Sequence, residues 1–255
     1  MKSYHQKFVS ETPLEVYPTG EISGFPVSPG MFDLNGATPL QNGVNFTIHT
    51  CGGTACELLL FHREEEEPFA VLPFPEAYKI GDVYSMIVYG LDIRDFEYAY
   101  RVDGPWDPEK GLLFDKKNIL LDPYAKAVSG QRTWGTHWDP TYHARVVKDS
   151  FNWGDMPQSK KELCDLIIYE LHVRGFTVHE SSGVQNRGTF AADRKDPYLR
   201  ELGINAVELM PIFEFDETMN AREINGERLL EYWGYNTVSF FAPNTSFTSV
   251  NEYNR

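Results

Sequence analysis

Three kinds of side chain in this 255-residue chain have types and spacings that could do chemistry. Carboxylates are the first. Glu170 and Glu208 each sit inside an apolar run, while Glu214, Asp216 and Glu217 crowd one acidic, aromatic stretch. Two carboxyls flanking one bond can share the work of acid, base and nucleophile, but only if the fold brings them together. Glu170 and Glu208 are expected to be buried supporting groups, and the acids at 214–217 to be solvated. His172 and Arg174 are the second kind, either an acid/base pair or ligands. A single His in an apolar run reads best as a hydrogen-bonded core residue, and no second ligand lies at a metal-binding spacing. No metal site is expected. Aromatic rings are the third kind. Trp106 sits in the turn Asp-Gly-Pro-Trp-Asp-Pro (103–108), either as a platform on which a sugar ring could stack or as a lid on a sheet edge. No glycine-rich phosphate loop occurs, since Gly111, Gly130 and Gly183 lie in turns and do not link a strand to a helix. No cofactor is expected.

The elements that must position these groups fall into two halves. Residues 44–50 alternate with period two, 56–62 form a continuous apolar run, and 69–72, 83–88 and 96–102 complete a set of short strands. Short strands separated by turn signals, with no helical period between them, predict an all-β, immunoglobulin-like sandwich. Glu64 to Glu67 form a like-charge block between two strands, read as a solvated hairpin tip in preference to a cation site. Leu120 and Leu121 are expected to pack against the next domain. Residues 130–162 hold Trp134, Trp138 and Trp153 without apolar periodicity, an irregular connection longer than usual linkers and packed on both halves.

Residues 165–177 (Asp-Leu-Ile-Ile-Tyr-Glu-Leu-His-Val-Arg-Gly-Phe-Thr) organise the second half. They read as a strand buried on both faces at its start, with Glu170, His172 and Arg174 on one side and Gly175 as its break. A short helix is expected over 197–202, with Asp196 as N-cap, Pro197 at its first position and Gly203 at its stop. Residues 204–210 predict a second, parallel strand reached by a right-handed crossover. A long loop over 212–233 and a third strand over 236–241 follow.

Composition bounds the function. The chain is 42% apolar and 14% aromatic, enough for real cores. Its 37 acidic against 23 basic residues give a net charge of −14, which repels phosphate backbones and anionic bilayers. No nucleic-acid or membrane partner is expected. The N-terminus lacks an apolar signal core, and no segment approaches the ~20 apolar residues of a membrane span. Cys51, Cys56 and Cys164 are an odd number without metal spacing and read as reduced thiols, giving an expectation of a cytoplasmic protein. Glycosylation sequons at Asn45 and Asn244 read as chance.

Several motifs together resemble a known family. The stretch 165–177, Glu-Leu-Gly-Ile-Asn-Ala-Val-Glu-Leu-Met-Pro (201–211), Tyr-Trp-Gly-Tyr-Asn-Thr (232–237) and Phe-Phe-Ala-Pro (240–243) are similar to the α-amylase superfamily, glycoside hydrolase family 13, in its isoamylase and glycogen-debranching branch. Upstream, Arg-Val-Asp-Gly-Pro-Trp-Asp-Pro (101–108) and Leu-Leu-Asp-Pro-Tyr-Ala (120–125) resemble its N-terminal family 48 glucan-binding module. The resemblance implies a sandwich over residues 1–128, a connection over 129–163, and over 164–255 the first strands of a truncated (β/α)8 TIM barrel. It also implies that the Asp nucleophile, the Glu acid/base and the stabilising Asp lie downstream of residue 255, so that no catalytic residue is expected here. Tyr235 matches the family position whose ring stacks beneath the sugar at the cleaved bond, and Trp233 is either a site wall or packing. With Trp106 these are the expected substrate-binding residues. The implied function is the N-terminal part of an α-glucan debranching hydrolase acting on α-1,6 bonds of glycogen, starch or limit dextrin by retaining double displacement, itself inactive. The competing expectation is a non-catalytic glucan-binding or regulatory protein. An unpaired barrel edge would favour homo-oligomers.

Overall fold

The computed structural model describes residues 17–129, 133–136, 141–148, 152, 154, 161–192, 198–219 and 222–249. The strands of the first half run, in order, β1 (Gly20–Ile22), β2 (Phe25–Pro29), β3 (Gly36–Pro39), β4 (Gly43–His49), β5 (Ala55–His62), β6 (Pro68–Pro73), β7 (Lys79–Ile80), β8 (Val83–Tyr89), β9 (Phe96–Asp103), β10 (Trp106–Asp107), β11 (Leu112–Leu113), β12 (Ala127–Val128) and β13 (Ala144–Arg145). One sheet has the order β1-β2-β8-β4-β3, with β7 added on β8, and the other β12-β13-β9-β5-β6. The expected sandwich is there.

Period-two alternation builds its core. Val44, Phe46 and Ile48 of β4 meet Tyr84, Met86 and Val88 of β8 on one side, and Leu58, Leu60, Tyr98, Tyr100 and Val102 of the other sheet face them. Phe46 and Tyr98 pack edge-to-face with centroids 5.1 Å apart. The continuous run in β5 has its own cause, because the outer face of that sheet is covered as well. Leu59, Phe61 and Ala99 form a second buried cluster, over which His143 stacks on Phe61 at 3.8 Å, its Nδ1 3.4 Å from Glu97 Oε2. Glu64 to Glu67 are exposed between β5 and β6, as the hairpin-tip reading requires.

Leu120 and Leu121 pack differently from the expectation. Leu121 joins the sandwich core and Leu120 bridges to Tyr100 of β9, so both belong to the first half. Between them and β12, Asp122 is buried, accepting Tyr98 Oη–H at 2.7 Å and the Tyr124 amide at 2.8 Å. The stretch expected as a connection contributes β13 to the sandwich, and Trp134 packs into the second half. Trp138 and Trp153 lie outside the described residues.

The second half contains β14 (Ile168–Leu171), α1 (Val173–Thr177), α2 (Tyr198–Glu201), β15 (Ala206–Leu209), β16 (Phe213–Phe215), β17 (Arg222–Ile224), β18 (Glu227–Leu229) and β19 (Thr237–Pro243). β14 and β15 are parallel, with Glu170 opposite Glu208. Three expectations need correction. The first strand ends at Leu171: the His172 side chain accepts the Gly175 amide and caps α1, so Arg174 is helical and shares no strand face with Glu170. β14 is not covered on both faces, since Ile168 and Glu170 are exposed; β15 is its one strand neighbour among the described residues, and Glu208 is exposed beside Glu170. The third strand does not extend the parallel pair. β19 runs antiparallel to β16, because the chain leaving β15 at Pro211 supplies a nearer free edge at Phe213–Phe215. The helical turn before β15 is described over Tyr198–Glu201 and ends one residue before the expected Leu202, and Asp196 and Pro197 lie outside the described residues.

Candidate functional site

The stretch between β15 and β19, read as a solvated acidic loop, folds inward. Glu214 and Glu217 are fully buried and Asp216 nearly so. Each carboxylate has a structural task. Glu214 Oε2 accepts the Thr245 amide at 2.7 Å, tying β16 to the turn after β19. Glu217 Oε1 accepts the Gly135 amide at 2.8 Å, bringing in the segment that carries Trp134. Asp216 Oδ1 caps its own turn, accepting the Thr218 amide and hydroxyl. Burial pushes the Glu214 carboxyl up to about 8 and raises Glu217 too.

Behind these acids lies an aromatic cluster. Trp134 stacks on Phe247 at 5.9 Å and meets Phe215 edge-on at 5.8 Å, while Arg174 lies over the Trp134 ring at 5.1 Å. His172 is buried and satisfied, as expected of a core histidine. Its Nδ1 accepts the Gly175 amide at 3.0 Å, so Nε2 carries the proton and donates to Tyr232 O at 2.7 Å, with the two rings stacked at 4.2 Å. Burial lowers its pKa, so the neutral form is favoured. A Cβ at position 175 would lie 2.1 Å from Tyr232 Oη, so glycine is needed there for close approach.

On this base sits a pinned turn. The Glu231 amide donates to Glu217 O at 2.7 Å, Glu231 Oε1 accepts the Trp233 amide at 3.1 Å, and Asn236 Nδ2 donates to Asp216 O at 2.9 Å. Gly234 has φ of +83°, and a Cβ there would strike Phe215 at 2.8 Å. The turn therefore fixes its backbone inward and displays Trp233 and Tyr235 outward, 50% and 72% exposed. Tyr235, Phe213, Met219, Asn236 and Phe240 line a cavity of about 740 Å³. Trp106 is 64% exposed on the β10–β11 hairpin, where it covers no core.

The structure thus brings Tyr235 to a cavity, packs Trp233 edge-on against Tyr232 at 5.1 Å outside the cavity lining, and keeps Trp106 on the β10–β11 hairpin. Phe213, Met219 and Phe240 were missed as cavity walls; alternation along 213–215 was their one sequence signal. Among the described residues no group of three or more His, Cys, Asp or Glu could hold a metal, and no helix is long and apolar enough to cross a membrane.

Residues 35–125 match the family carbohydrate-binding module 48, the isoamylase N-terminal domain. The chain is 36% identical over 247 residues to chloroplastic isoamylase 1 of Arabidopsis thaliana, covering 90% of this chain and 31% of that protein. With the glycogen debranching enzyme of Salmonella typhi it shares 32% over 235 residues, covering 86% and 35%. Among solved structures, a pullulanase from Anoxybacillus sp. LM18-11 complexed with maltotetraose superposes with a TM-score of 0.64 at 24% identity, covering 88% of this chain and 32% of that one. The chain is homologous to the N-terminal part of isoamylases and glycogen debranching enzymes. It spans about a third of the length of these relatives.

Proposed function

We propose that this chain is the recognition half of an α-glucan debranching hydrolase of the isoamylase type, the whole enzyme cleaving α-1,6 bonds of glycogen, starch or limit dextrin with retention. Residues 164–255 are read as the opening of its barrel and the sandwich as a glucan-binding module. The observation that carries this reading is the pinned turn that holds the Tyr235 ring out at a 740 Å³ cavity and leaves the neighbouring Trp233 half-exposed. A pyranose offers a C–H face to such a ring and hydroxyls to a phenol and an amide, which Tyr235 and Asn236 supply. No cleaving role falls to the carboxylates beneath. Glu214, Asp216 and Glu217 each hold a backbone amide through one carboxyl oxygen, and Glu170 and Glu208 lie in solvent on the strand pair.

Titration calorimetry of the chain with maltoheptaose tests the reading. Tyr235→Ala should weaken binding about tenfold, the equivalent of 1.4 kcal/mol, and Trp233→Ala should weaken it in the same direction. Unchanged affinity in both variants would remove the turn from the site. Incubation with pullulan should release no reducing sugar, and turnover by the purified chain would overturn the division of labour.

A further inference from the structure

We propose that the sandwich carries a second sugar-binding cleft, at the end of β9 opposite Trp106, whose ligand is a stretch of neutral polyhydroxyl chain. The proposal rests on the glucan reading above and adds a separate site to it. The cleft encloses about 680 Å³, a usual size for small-molecule sites. Two turns form its walls, one joining β3 to β4 and one joining β8 to β9. The first is closed by the Leu40 amide donating to Gly43 O at 2.8 Å, and the two are tied together by the Gly90 amide donating to Asn42 O at 3.1 Å. Leu40, Leu91 and Ile93 make a half-buried aliphatic floor, and the exposed side chains of Gln41, Asn42, Asp92 and Lys148 make the rim.

The rim is preset. The Arg94 amide and Nε both donate to Asp92 Oδ1 at 3.0 Å, and Nη2 donates to Oδ2 at 2.5 Å. Those hydrogen bonds hold the Asp92 carboxyl at about 2, leaving a lone pair of Oδ2 for a ligand hydroxyl. Lys148 arrives from just beyond β13 and adds a donor.

Chemistry narrows the ligand. An anion would find one ammonium beside a carboxylate on a chain of net charge −14. A metal ion would find one carboxylate, already committed to Arg94. A purely apolar ligand would strip water from two amides, a carboxylate and an ammonium without replacing it. A sugar alternates C–H surface with hydroxyls that both donate and accept, and this floor and rim offer the complement of each. The eight residues of β9 alone separate the two ends by roughly 25 Å at ~3.3 Å per residue. A long glucan could therefore engage the cleft and Trp106 together, and affinity should rise steeply with its length.

Amide chemical-shift mapping of the ¹⁵N-labelled chain with maltotriose tests the site. The amides of Gln41, Asn42, Gly90 and Leu91 should titrate, and the double variant Gln41→Ala/Lys148→Ala, at exposed positions, should weaken that titration at least fivefold while leaving the Tyr235 turn unchanged. If the Tyr235 turn or Trp106 titrates and the cleft amides do not, the cleft is overturned and the glucan reading stands. Cleft titration indifferent to the double variant also overturns it. If nothing titrates up to the solubility limit of the sugar, both readings fall.

Discussion

Tyr98 and Asp122 show how much one buried hydroxyl can organise. Among the described residues the phenol is Asp122's one side-chain partner, and the other carboxylate oxygen holds the Tyr124 amide. The Tyr124 ring then stacks on Phe241 of β19 at 5.6 Å, so the bond reaches across to the second half. Tyr98→Phe should cost about 1–3 kcal/mol, the range for a buried acceptor left without its donor, and urea unfolding will read it. A change below half a kcal/mol would mean that water replaces the phenol. The cysteines give a second test. Cys56 is buried, and desolvation pushes its thiol up to about 12, whereas Cys51 and Cys164 are exposed. Two of the three should react with a disulfide reagent in the folded chain at pH 8, the third only on unfolding. Single residues were unevenly legible. Exposure of Trp106 could be anticipated from its Gly-Pro turn, whereas Trp134 gave no sign that it would sit between His172 and Phe247.

β16 is the element where charge and burial conflict most. Glu214 stays protonated in the fold up to about pH 8 and ionises near 4.5 when exposed. Its contribution to stability is therefore fully present below about pH 4.5 and is lost as pH rises toward 8; Glu217 shifts in the same direction. Glu214→Gln, a neutral mimic of the protonated acid, should match the parent near pH 5 and surpass it near pH 8.5 in urea midpoint. Parallel pH profiles for the two proteins would refute this. The same strand explains why the second half was harder to read than the first. Sandwich strands announce themselves by alternation, and β4, β5, β8 and β9 lie within a residue of expectation. Around 213–217, three acids in five residues imitate a solvated loop, and their bonds to Thr245, Gly135 and Thr218 offset part of the cost of burial. Residues 172–174 read as strand because they continue the alternation of the apolar run, yet the His172 cap and the close approach of Tyr232 to Gly175 impose a helical turn.

Across the whole molecule the two halves are finished to different degrees. The sandwich buries its strands on both sheets, while Ile168, Val207 and Leu209 of the parallel pair stay 41–55% exposed. Two strands with no further strand neighbour among the described residues, and with exposed apolar side chains on both faces, are a template for more strands. We expect concentration-dependent self-association of this chain, seen by light scattering behind size exclusion, and Ile168→Lys/Val207→Lys should abolish it. A monomer at every concentration would refute it. The seclusion of two asparagines bears on a different question. Asn45 and Asn244 are fully buried, Asn45 accepting the Met31 amide and Asn244 the Ser246 amide and hydroxyl. An oligosaccharyltransferase meeting the folded chain would find neither acceptor within reach. Produced in a secretory host, the protein should leave the cell either unmodified at both sequons or, where modification preceded folding, not at all.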